Sequence, residues 1–360
     1  MTANRSLWAL AGAAVLLCVL AGCMRRKETI TVARDGRVNI SLEYDGGQAD
    51  VTEGDAMPSE ASGWQVAVEE SVSGTDNGEP TKEMTITGAA TFGPGEPLPF
   101  TFGDPDDPYF DAYLRFPTTL TVEERPDGTY YHFYRVYDGR PWAQIEAWRE
   151  MIKEFSEEQW KQLEAKEDSE LTHSDWTLMI QMLATMEYVK IENFARWALQ
   201  DMLAEQPPTC WAHVVSALRG VLEDLDMDHL AELMVASQAD AEYSALEAEA
   251  DAFEARLMET VRLTLLDQCR FSRRDYDRFM ERFEWHQKRY EITEDLGDDT
   301  FEIHVEMPGV IVATNADSHD ENEANWEFDG KMLRDRVAEL MVTSRVTHGE
   351  GPEHDTPAAD

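Results

Sequence analysis

Residues 130–155 read YYHFYRVYDGRPWAQIEAWREMIKEF, and the apolar period changes inside them. Up to Tyr137 the side chains alternate as a strand does, with aromatics on both faces, as expected of a strand covered on both sides. From Pro141 onward, Trp142, Ile145, Trp148, Ile152 and Phe155 recur at three- and four-residue intervals, one stripe of a helix. A β region therefore ends near residue 140 and a helical region begins there.

Upstream, residues 28–140 read as β structure. Ile30 and Val32 alternate with polar residues, Asp35-Gly36 turns the chain, and Val38, Ile40, Leu42 and Tyr44 alternate again, a strong hairpin signal. Trp64, Val66 and Val68 predict a strand, followed by a loop rich in Ser, Gly and Asp. Met84 to Gly88 and Leu98 to Phe102 read as short strands or extended segments. Leu120 to Val136 is a second hairpin, turning at Pro126-Asp127-Gly128.

Downstream, Ser156 heads a capping pattern for a helix through Trp160 and Leu163. Ser174-Asp175 precedes a long helix from Trp176 to Leu203, stopped by Pro207-Pro208. Thr209 is placed to cap a helix from Cys210 to Val221. Residues 228–270 are rich in Ala, Glu and Leu, and Ser272 is placed to cap a helix reaching about Lys288. After Tyr290 the period returns to two. Phe301, Ile303, Val305 and Met307 alternate, Pro308-Gly309 turns the chain into Val310–Thr314, and a polar loop from Asn315 to Asn325 leads to Trp326–Phe328. The last strand covers Leu340–Val346.

The fold class expected is α+β: an antiparallel β-rich domain, residues 23–140 and 290–347, interrupted by a helical-bundle insertion, residues 141–289. Residues 348–360 should form a disordered tail. An insertion is preferred to three units in series because the final strands are too few to make a sheet without the N-terminal ones.

The N-terminus carries its own signal. Arg5 precedes an apolar run from Leu7 to Ala21, long enough for a secretory core and short for a span, which needs ~20 residues. The run ends in Leu20-Ala21-Gly22-Cys23. This resembles the bacterial lipobox, which implies that residues 1–22 are a signal peptide and that diacylglycerol is attached to the Cys23 thiol. Multiple acyl chains hold a protein far more firmly than one. Arg25, Arg26 and Lys27 would then lie at the headgroups. Met24 lacks the Asp that the resemblance associates with inner-membrane retention, so an outer membrane is expected if the cell has one.

A hairpin soon after that cysteine, Met307-Pro308-Gly309, an Asn-bearing loop, Trp326-Glu327-Phe328 and a closing strand ending near Ser344 look like the LppM-type bacterial lipoproteins. That resemblance implies an exported β-rich domain associated with lipid or the cell envelope. The helical stretch is far larger than such a domain needs, and no C-terminal membrane helix follows.

Composition narrows the partners. Net charge is −41, and removing Arg5 with the signal takes it to about −42, which repels nucleic acid. Of four cysteines, Cys18 lies in the signal and Cys23 is the lipid site. Cys210 and Cys269 remain, and both a disulfide and two separate buried thiols fit an exported chain.

Searches for chemistry return little. Asp224-Leu-Asp226-Met-Asp228-His229 begins like a calcium loop, but His229 stands where a glycine turn is needed and Val235 where a bidentate acid is needed. Asp104, Asp106, Asp107 and Asp111 lack a fixed ligand spacing. Asp317, His319, Asp320, Glu321 and Glu323 read as a polar hairpin tip. There is no zinc motif, phosphate loop or nucleophile elbow. With 72 acidic residues, carboxylate pairs occur by chance and identify nothing. No catalytic residue, metal or cofactor is therefore assigned. The expectation is a lipid-anchored envelope protein with a non-catalytic binding or structural role toward a protein, lipid or glycan. The alternative is an exported hydrolase with a composite acidic site.

Overall fold

Asp35-Gly36 turns the chain between β1 (Arg25–Val32) and β2 (Val38–Gly47). Gly36 sits at φ +85°, a conformation that costs an L side chain energy, and Asp35 Oδ1 accepts from Arg37 N at 3.0 Å. The structure, a computed structural model, describes residues 24–48, 51, 54–76, 79–147, 161, 163, 165–166, 171–202, 209–237 and 243–348. The signal segment, Cys23, the expected cap at Ser156 and the tail beyond residue 348 lie outside the described residues. The described residues of 22–141 and 289–360 form one compact unit, and those of 142–288 another.

The first unit holds two sheets. Seven strands run in the order β3 (Gln65–Asp76), β4 (Glu79–Phe92), β2, β1, β7 (Thr300–Glu306), β10 (Glu323–Asp329) and β9 (Ser318–His319). Four run in the order β5 (Thr118–Arg125), β6 (Gly128–Tyr137), β11 (Ala338–Val346) and β8 (Val310–Thr314). Neighbours are antiparallel except β1 and β7, which run parallel in register Arg25↔Thr300 to Thr31↔Glu306. β1 and β7 are not consecutive in the chain: β2 to β6 and the helical region lie between them. Ile30, Ile40, Phe301, Ile303 and Val305 of one sheet and Phe133, Leu340 and Val342 of the other are buried, and Tyr137 packs edge-on to Phe301 at 5.7 Å.

Two local expectations are overturned and a third is narrowed. Residues 71–76 are not a loop: they continue β3 opposite Glu79–Glu83, with a register shift between Val72 and Gly74 that accommodates the glycine. Of the two readings of Leu98–Phe102, strand or extended segment, the strand does not form, because Pro97 and Pro99 remove ladder donors. Instead Phe102 is buried against Phe116, Trp64 and Tyr44. The strand β6 is not covered on both sides: Tyr131, Phe133, Arg135 and Tyr137 are buried, while Tyr130, His132 and Tyr134 stay half-exposed.

The second unit is helical. Among its described elements are a short helix, α1 (Ala143–Glu146), and α2 (His173–Asp201). Its cap lies two residues earlier than the sequence suggests: Thr172 Oγ1 accepts from Asp175 N, and the Asp175 carboxylate accepts from Thr172 N. Ile180, Ala184, Tyr188, Ile191 and Ala195 recur along one face and are fully or nearly fully buried. Further helices are α3 (Thr209–Glu223), α4 (Met227–Ser237) and α5 (Tyr243–Leu263), the last continuing as a π turn over Thr264–Gln268. A disulfide joins Cys210 to Cys269. Ser272 and Asp275 cap each other at the start of α6 (Arg273–Leu296), whose residues from Arg289 onward belong to the β unit.

Candidate functional site

The basic triplet Arg25-Arg26-Lys27 lies in β1, the central strand of seven. A period of two sends neighbouring side chains to opposite faces, so Arg26 and Glu28 point inward with Ile30 and Val32. Arg26 is 1% exposed. Its Nε donates to Asp299 Oδ2 at 2.7 Å and its Nη1 to Asp55 Oδ2 at 3.1 Å. The guanidinium also lies over the rings of Tyr44 and Phe301. Burial alone would lower the Arg26 pKa, but the charges of Asp299 and Asp55 outweigh it and raise it above the ordinary arginine value. Nη2 has no hydrogen-bond partner among the described residues.

Arg26 is therefore not available to a headgroup collar. Arg26 is internal, and Arg25 lies 3.5 Å from both Glu43 and Glu302. The reason is that β1 starts at once, so the period of two turns Arg26 inward and leaves Arg25 on the outer side.

Beside Arg26 a second buried group forms. Glu28 Oε2 accepts from Arg135 Nη1 at 2.7 Å and Glu28 Oε1 from the Tyr44 hydroxyl at 3.1 Å. Arg135 also donates to Thr118 Oγ1 and to the Tyr137 hydroxyl. Burial, then the neighbouring Glu28 charge, pushes the Tyr44 and Tyr137 phenols up. Buried charges survive only when paired in this way. The network is a structural keystone of the unit, and the sequence reading missed it. Extending the alternation of Ile30 and Val32 back to residues 28 and 26 would have found its first two members.

Met24 precedes β1 and is 1% exposed. Its carbonyl accepts from Thr300 N at 2.9 Å, and a Cβ on Gly46 would come within 3.2 Å of the Met24 Cβ. Glycine there lets the two backbones approach. Cys23 lies outside the described residues; in the sequence one residue, Met24, separates it from β1.

The acidic clusters serve local structure. Asp104 and Asp107 carboxylates accept from the backbone N–H groups of Asp106 and Tyr109, and Asp107 also takes the Tyr113 hydroxyl. Asp111 reaches Arg115 at 3.4 Å. Asp226 caps α4 by accepting from His229 N, and Asp317 accepts from Glu327 N. Glu323 lies 3.5 Å from His304, and His319 approaches the Asp320 carbonyl. Among the described residues no group of three or more His, Cys, Asp or Glu side chains is arranged to hold a metal ion. No described helix is long and apolar enough to cross a membrane.

One His–Thr–carboxylate arrangement occurs on the outer face of the four-stranded sheet. His132 Nδ1 lies 3.0 Å from Thr343 Oγ1, and its Nε2 lies 3.6 Å from Glu123. Thr343 sits on β11, which is paired on both sides, and His132 stands directly opposite it in the ladder. Strand N–H groups taken up in ladders offer no oxyanion pair, so cross-strand packing accounts for the contact. A cleft of about 600 Å³ opens at the Asp35-Gly36 turn, lined by Arg34, Asp35, Glu96, Thr118, Glu124 and Tyr131 among others. Its lining includes no histidine or cysteine.

No family model matches the chain. No curated protein matches it. Among solved structures, the chain is similar to the NMR structure of the folded domain of the Mycobacterium tuberculosis LppM protein, with 9% identity and a TM-score of 0.25. That alignment covers 91% of this chain and 93% of that one. A likeness so shallow carries no argument about this chain.

Proposed function

We propose that this is a lipid-anchored protein of the cell envelope, attached through Cys23, with a binding or structural task rather than a catalytic one. The observation that carries the reading is Leu20-Ala21-Gly22-Cys23, placed at the end of an apolar run and one residue before the fold begins. A cut before Cys23 leaves all of β1 in place. A cut beyond Arg26 would strip Asp55 and Asp299 of a buried partner, at a cost of about 3–5 kcal/mol. The acidic body faces the exported side, and the outer membrane is its site in a cell that has one. Its partner is a protein, lipid or glycan of the envelope.

Fractionation of cells expressing wild type and Cys23→Ala tests the anchor. Wild type should sediment with membranes, and the variant should be released or accumulate as uncut precursor. Equal membrane association of a normally processed variant would overturn the reading.

A further inference from the structure

Gly330–Val337 joins β10 to β11 and reads Gly-Lys-Met-Leu-Arg-Asp-Arg-Val. In a chain of net charge −41, this segment bears Lys331, Arg334 and Arg336 against Asp335 alone. Its first turn, Gly330–Leu333, puts Leu333 inside and Met332 outside, 47% exposed, and Val337 is 55% exposed. The turn is held firmly. Gly330 N donates to Asp299 O at 2.9 Å, and a Cβ on Gly330 would collide with the Leu296 carbonyl oxygen, so only glycine fits.

The sheet register places this segment beside the N-terminus. Asp329 pairs with Thr300, and Thr300 pairs with Arg25. Two strand spacings, about 10 Å, therefore separate the start of the segment from the start of β1. Resting on the reading that Cys23 carries lipid, we propose that Gly330–Val337 seats against the lipid bilayer, with Met332 and Val337 entering the acyl boundary and Lys331 and Arg336 at the phosphates.

Several observations favour lipid as the occupant. The one-residue connection keeps this end of the sheet within reach of the headgroups. Exposed apolar side chains flanked by long cationic ones suit an interface that is wet on one side and oily on the other. Asp298, 3.6 Å from Lys331, together with the exposed Asp329 and Asp335, offsets the three cations of the segment, so the apolar pair carries the contact.

The test uses full-length lipidated protein in vesicles of phosphatidylethanolamine and phosphatidylglycerol. Single substitutions Met332→Cys and Val337→Cys, and Val122→Cys as control, are each labelled with an environment-sensitive dye. Val122 is 49% exposed and lies against Gly36, at the opposite end of β1 from Met24. Dye at 332 and 337 should shift to the blue, be quenched by nitroxide lipids and lose quenching by aqueous iodide, whereas dye at 122 should show none of these. Protein that floats with the vesicles while all three sites respond alike to iodide would overturn the proposal and leave the anchor standing. Protein that does not float at all would overturn the anchor, and this proposal with it.

Discussion

Arg135 Nη1 of β6 lies 2.7 Å from Glu28 Oε2 of β1, joining the two sheets through a contact in which both residues are 1–2% exposed. Removing either partner strands a charge in the interior. Glu28→Leu and Arg135→Met should each lower stability by about 3–5 kcal/mol, whereas the double variant should recover most of that loss. Urea unfolding of the four proteins checks this. Additive losses would show that the two residues do not act as a pair.

Tyr44 and Tyr137 give a pH dependence. Both phenols are pushed up, by burial first and then by Glu28. The unfolded chain releases these protons near pH 10 while the native state keeps them. Their stabilisation is therefore whole below about pH 10 and is lost as pH climbs from there through the folded-state values. Urea midpoints measured from pH 8 to 11 should fall, and less steeply in Tyr44→Phe/Tyr137→Phe. An unchanged slope in that variant would assign the alkaline loss elsewhere.

Arg140 is 3% exposed and donates to Thr293 Oγ1 at 3.0 Å, to Ala112 O at 2.9 Å and to Arg289 O at 2.8 Å. Burial, then the neighbouring Arg289, lowers its pKa to about 10, so it stays charged at neutral pH. Arg140→Leu leaves several buried acceptors unmade and should cost about 3 kcal/mol or more. Arg140→Lys should recover little, since one ammonium cannot span acceptors set for a planar fork. Full recovery by lysine, read from the thermal midpoint, would contradict this.

The Cys210–Cys269 bond closes a stretch with a sequence separation of 59. Cys210→Ala/Cys269→Ala should destabilise the helical unit by about 4 kcal/mol on the chain-entropy account. Hydrogen exchange of α2, α3 and α5 should report it, with the β strands little changed. Equal loss of protection in both units would contradict a local effect.

Much of the architecture was legible in the sequence. The Asp35-Gly36 hairpin announced itself by alternation on both sides, and the α+β class by the change of period at Pro141. What escaped was where local pattern and tertiary role diverge. Arg26, Glu28 and Arg135 occupy inward strand positions normally filled by apolar residues, and a charged residue reads as surface until its partner is known. Those partners, Asp55 and Asp299, stand 29 and 273 residues from Arg26, beyond any window of periodicity. Of the candidate site, Cys23 came from a local motif. The neighbouring segment Gly330–Val337 needed the parallel pairing of β1 with β7 to bring it there.

We propose that lipid on Cys23 holds this protein to a membrane. Intact-mass and peptide mass spectrometry of detergent-extracted protein tests it most directly. The expected product is a chain beginning at Cys23 and bearing a thioether-linked diacylglycerol, with or without an acylated amine. A chain that retains residues 1–22, or that begins with an unmodified Cys23, would contradict it.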